Sequence, residues 1–185
     1  MSTPRIPVGN EIKVLQDKAI ELFSWYTNRE IQKTYAAPCM PIIQCSGTGK
    51  TKLLSDFKRM EMEKTNPEYT VLLISCLPKE TRPEKTTPSV LDHYCDFRGK
   101  GADFLSSNLK SILGAQLIER SSIILLFDEA QELSRDGATH MHALQRFLRV
   151  KRGASCIAFT AGTNHSLASC YPTEDKKVVR EQAKT

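Results

Sequence analysis

The sequence predicts an α/β protein, a three-layer sandwich with a mainly parallel sheet. Three observations predict it. Apolar runs at 70–76, 123–127 and 155–160 are continuous rather than alternating, the pattern of parallel strands covered on both faces. Segments with helical apolar spacing stand between them. A glycine-rich turn separates a first apolar run from a helix, and two carboxylates end a later run.

In chain order, residues 1–10 carry prolines and a glycine and read as an arm. Ile12, Leu15, Ala19, Leu22, Phe23 and Tyr26 recur at helical spacing, predicting a helix from Glu11 to Thr27 that resumes toward Tyr35. Pro38 and Pro41 end it and admit a first strand, Pro41 to Gln44. A helix runs from the glycine-rich turn to about Lys64, and Asn66-Pro67 closes it. The strand Thr70 to Cys76 follows, then a proline-rich loop, a short helix beginning Ser89 to Tyr94, and a helix from Asp103 to Arg120. Ile123 to Phe127 is a buried strand that delivers Asp128 and Glu129 to the C-terminal edge of the sheet. After Asp136-Gly137 come a helix from Thr139 to Arg152 and a strand from Ser155 to Thr160. The core is expected over 11–170, with a charged tail over 171–185.

The central stretch is Gln44-Cys45-Ser46-Gly47-Thr48-Gly49-Lys50-Thr51-Lys52. A strand, a glycine-rich turn and a helix opening with Lys-Thr is the context of the phosphate-binding loop. Gly47 and Gly49 allow successive N–H groups to face one concavity, and a helix N-terminus there favours an anion. Lys50 would reach the β- and γ-phosphates of ATP, and Thr51 would ligate Mg²⁺. One position departs from the G-x-x-x-x-G-K-S/T pattern: Gln44 stands at the first glycine. Asp128 would hold Mg²⁺, directly or through water, together with Thr51, and Glu129 would polarise the attacking water as general base. Thr163 and Asn164, after the neighbouring strand, are candidates to hydrogen-bond the γ-phosphate or that water; as turn residues they are equally accounted for.

At 185 residues the chain has room for a core. A net charge of +5 is compatible with a polyanionic partner but does not require one. No run is long enough to span a bilayer, and Met1 to Val14 has no apolar core for a signal peptide, so a cytoplasmic, membrane-free protein is expected. The six cysteines show no C-x-x-C pairing, which disfavours zinc and a disulfide framework. Arg146, Arg149, Lys151 and Arg152 cluster at one helix end, where cations also complement the helix dipole. They are the candidate contacts to double-stranded DNA, with Lys100 and Lys110 behind them. No aromatic residues interleave, so such contacts would follow the backbone.

The strand-ending order resembles that of the P-loop NTPases of AAA+ type: a Walker A stretch at 44–51, a Walker B stretch at 123–129 and a sensor position near Asn164. Asp128-Glu129-Ala130-Gln131, Gly162-Thr163 and Thr86-Thr87-Pro88-Ser89 are similar to the transposition-regulator ATPases of the TniB/TnsC type, relatives of the Mu B protein. That resemblance implies an ATPase that forms a homo-oligomeric ring or filament on DNA and recruits a transposase, with a neighbouring subunit's arginine completing the site. Arg180 is the one arginine that follows the sensor position, and an exposed charge in a polar tail accounts for it equally. After Tyr171 the family's fifth strand and helical lid are expected to be absent. Asp-Glu-Ala-Gln also evokes the nucleic-acid helicases, which need a second nucleotide-fold domain. A small-molecule kinase would need an acceptor pocket and an arginine-rich lid. A module that holds ATP without turning it over is the remaining alternative.

Overall fold

Three layers form because the sheet is apolar on both faces. In the computed structural model, which describes residues 8–43, 49–65, 67–77, 92–101, 103–114, 122–150 and 153–163, five parallel strands stand in the order β1-β5-β4-β2-β3. These are β1 (Cys39–Ile43), β2 (Tyr69–Ser75), β3 (His93–Tyr94), β4 (Ser122–Asp128) and β5 (Ser155–Gly162). The helices are α1 (Val8–Phe23), α2 (Arg29–Thr34), α3 (Lys50–Met62), α4 (Asp103–Leu113) and α5 (Arg135–Leu148).

Successive strand residues point to opposite faces, so a doubly covered strand must be apolar throughout. Along β4, Ile123, Leu125 and Phe127 join one core with α4 and α5, while Ile124 and Leu126 join the other with α1 and α3. Strand β5 divides the same way: Cys156 and Ala158 on the first face, Ile157, Phe159 and Ala161 on the second. Helix α1 presents Ile12, Leu15, Ala19 and Leu22 to that second core, and Gln16 Nε2 donates to Glu61 Oε1 of α3 at 2.8 Å.

Strand β1 runs Cys39–Ile43, two residues earlier than the predicted start at Pro41, and is the sheet edge among the described residues. The Ala158 amide donates to Pro38 O at 3.0 Å, so alternation turns residues 38, 40 and 42 toward β5 and Pro41 outward. A proline fits there because its missing N–H takes no ladder bond from the sheet.

Three further corrections follow. The predicted helix at Ser89 to Tyr94 is, in its described part, strand β3. Asp92 accepts from Leu73 N at 2.6 Å and from the buried Lys58 ammonium, and His93 and Tyr94 pair with Ile74 and Ser75. The helix predicted from Thr139 to Arg152 begins earlier, at Arg135, running through Asp136-Gly137 directly after a 3-10 turn over Ala130–Ser134, and ends at Leu148. The first helix ends at Phe23, where a 3-10 turn Ser24–Tyr26 leads to α2, capped by Asn28 Oδ1 accepting from Glu30 N at 2.9 Å. Helix α4 ends at Leu113; the rest of its predicted span, 115–120, lies outside the described residues.

Candidate nucleotide site

The C-terminal ends of β2, β4 and β5 bring the chemistry together. Strand β4 ends at Asp128, which is 1% exposed, and its carbonyl accepts from Cys76 N at 3.0 Å. Helix α3 starts at Lys50 beside this edge. Its N-cap, Gly49, has φ 90°, a left-handed conformation that suits glycine. A Cβ added there would meet nothing within 4 Å, so backbone conformation rather than space calls for glycine.

Lys50 is buried at 8% exposure, and the Thr51 hydroxyl donates to Asp128 Oδ2 at 2.9 Å. Both groups are hard oxygen donors of the kind Mg²⁺ takes. Thr51 and Asp128 are therefore the residues that would hold that ion, directly or through water. The remaining positions would fall to water and phosphate oxygens.

Glu129 has φ 56°, the one positive value among the described non-glycine residues. Such a conformation stores of order 1–3 kcal/mol and recurs at functional sites. Its amide donates to Asp128 Oδ1 at 3.1 Å. Its side chain is held in turn: Gln131 Nε2 donates to Glu129 Oε2, and Gln131 Oε1 accepts from Thr163 N at 3.4 Å. Gln131 carries no separate sequence signal beyond its place in the Asp-Glu-Ala-Gln tetrad.

The edge is rich in negative charge. Burial first, then Cys95 and the charges of Asp128, Glu132 and Glu129, push the Cys76 thiol well above its usual value. Cys39, Cys76, Cys95 and Cys156 are all buried. A divalent cation would offset this charge.

The other predicted site residues divide as follows. Lys52 is exposed and its ammonium pairs with Asp56 one turn along α3, so only its backbone faces the helix start. Gln44, Cys45, Ser46, Gly47, Thr48 and Asn164 lie outside the described residues, as do Lys151, Arg152 and Arg180. Arg146 and Arg149 are exposed at the C-terminal end of α5, with Arg149 Nε donating to Ala36 O at 2.8 Å. That helix end leads into the start of β5, the sheet edge opposite Asp128. Lys100 lies 5.6 Å over the Phe104 ring, and Lys110 is exposed in the last turn of α4.

No protein-family model matches this sequence, and no curated protein matches it. Among solved structures, the chain is similar to one in the structure of Drosophila ORC bound to DNA, with a TM-score of 0.40 and 15% identity. The match covers 91% of this chain and 48% of that one, so the chain spans about half the length of that neighbour. The five-stranded parallel sheet and its strand-ending carboxylates are compatible with a P-loop-like fold. No helix among the described residues is long and apolar enough to cross a membrane.

Proposed function

We propose that this chain is a Mg²⁺-dependent ATPase of AAA+ type that assembles on double-stranded DNA and regulates transposition by recruiting a transposase. The observation that carries the ATPase part is the 2.9 Å contact between Thr51 Oγ1 and Asp128 Oδ2 at the start of α3. A helix N-terminus, a buried lysine and a buried carboxylate converge there on the strand-end position where α/β sheets take ligands.

In this reading Lys50 and the first amides of α3 bind the β- and γ-phosphates of ATP. Thr51 and Asp128 hold Mg²⁺, which when bound neutralises charge on those phosphates. Glu129 accepts a proton from the attacking water with the carboxylate that Gln131 holds. The transposition part rests on the resemblance of Asp128-Glu129-Ala130-Gln131 and the Thr86 to Ser89 segment. Basic groups at the end of α5 stand on the edge opposite the nucleotide, so DNA and ATP would not compete for one surface. Gln44 at the first glycine position favours a second reading, a nucleotide-dependent DNA- or protein-binding module with little hydrolysis.

Particle size and phosphate release, measured with and without double-stranded DNA, test the proposal. Large ATP-dependent species and DNA-stimulated release support it. A single small species whose turnover ignores DNA contradicts the assembly role. ATP-dependent assembly without phosphate release favours the binding module.

A further inference from the structure

We infer that Gln131 is a positioning residue that ties the Glu129 carboxylate to the Thr163 amide just past β5, so that the position of that amide sets the aim of the catalytic base. This rests on the ATPase reading of the site and assigns its control.

Both ends of the Gln131 amide are used. Its Nε2 donates to Glu129 Oε2, and its Oε1 accepts from the Thr163 amide at 3.4 Å, joining residues 32 apart in sequence. The local turn does not depend on these bonds. Its backbone is already fixed by Glu132 N donating to Glu129 O at 3.2 Å and by Ser134 Oγ donating to Gln131 O at 2.8 Å. Ala130 and Leu133 anchor it in the core at 0% exposure. The side chain therefore has a task beyond holding the turn.

That task follows from what it grips. A base must present one carboxylate oxygen to the water in a fixed direction, and a misplacement of about 1 Å can cost of order a hundredfold in rate. Glu129 starts from a left-handed backbone, and a single donor pins Oε2. The other oxygen, Oε1, accepts no hydrogen bond from the described residues and stays available to a water. The same amide reaches the backbone at Thr163, which leaves the end of β5 beside the strand that carries Asp128. A shift of the Thr163 backbone on binding a γ-phosphate would move the Gln131 side-chain carbonyl, and with it the donor on Glu129.

The test is steady-state ATP turnover by wild type, Gln131→Met and Gln131→Glu, and by each substitution combined with Glu129→Gln. Gln131→Met removes both bonds at nearly constant volume. Gln131→Glu keeps an acceptor for Thr163 but loses the donor to Glu129, and it carries the test if the methionine variant does not show a cooperative melt. The expected result is a fall in kcat of roughly tenfold to a hundredfold with KM for ATP nearly unchanged. In the Glu129→Gln background the same substitutions should lower the residual rate no further, because Gln131 acts through the group already removed. An unchanged kcat, or an equal fall in that background, overturns the inference alone. Wild type that releases no phosphate overturns the ATPase reading and this inference with it.

Discussion

The hydroxyl of Thr51, in the first turn of α3, donates to Asp128 Oδ2 at the end of β4 across 2.9 Å. The two residues are 77 apart in sequence, and the contact joins the helix that would receive phosphate to the strand that would hold the metal.

If this pair holds Mg²⁺, Thr51→Val should weaken MgATP binding roughly tenfold or more, the scale of a lost hydrogen bond to a charged group. Binding measured in excess chelator should be weak in both proteins and nearly equal. Titration calorimetry with and without Mg²⁺ checks this, and a loss of equal size in chelator would move the effect from metal to fold.

Gly49 at φ 90° should resist replacement for conformational reasons. Because an added Cβ meets nothing within 4 Å, Gly49→Ala should cost about 1–2 kcal/mol through strain alone, lowering Tm by roughly 2–8 °C. Calorimetric melting without nucleotide measures it.

The centre of the sheet predicts a larger loss. Leu126 is 0% exposed in the core beneath α1 and α3, so Leu126→Ala should cost about 2–5 kcal/mol. A urea midpoint that falls while the slope stays constant would be the sign of lost stability rather than altered compactness.

Tyr26 contributes to the alkaline limit alongside the Cys76 and Cys95 thiols, which burial also raises. Its Oη lies 2.5 Å from Leu148 O and 2.6 Å from Cys156 O, and accepts from Cys156 N at 3.2 Å, closing the end of α5 against β5. Burial is the largest cause pushing its phenol above the ordinary value of 10.0. A folded-state value raised above the unfolded one means stability fully present below pH 10.0 and lost as pH rises beyond it. Tyr26→Phe should cost about 1–3 kcal/mol at neutral pH, by orphaning carbonyls, and should flatten the decline above pH 10.0. Tyr35 and Tyr69, also raised by burial, would leave a residual slope. Chemical denaturation repeated from neutral to alkaline pH separates the two effects.

The legible parts of this chain are those in which local sequence and tertiary context agree. Ile123 to Phe127 reads as a buried strand because both faces of β4 are covered, and Gly49-Lys50-Thr51 reads as a helix entry because that entry needs a left-handed cap. Strand β3 was not legible. Two residues carry no periodicity, and His93 and Tyr94 become a strand only by pairing with Ile74 and Ser75, just after Asp92 is held by Leu73 N and the buried Lys58. The Asp136-Gly137 pair carries a turn signal, yet the α5 residues Met141, Leu144, Phe147 and Leu148 bury in one core and keep the helix continuous from Arg135. Within the site, Asp128 and Glu129 were legible from their place at a strand end. The Gln131 bridge was not, since one of its two partners is the backbone amide of Thr163, 32 residues away.

MgATP binding and phosphate release by wild type, Lys50→Ala and Glu129→Gln decide whether this chain is an ATPase. The account predicts that wild type binds and hydrolyses ATP, that Lys50→Ala binds none, and that Glu129→Gln binds ATP and retains it. Glu129→Gln releasing phosphate at the wild-type rate, or Lys50→Ala binding as wild type does, would contradict it.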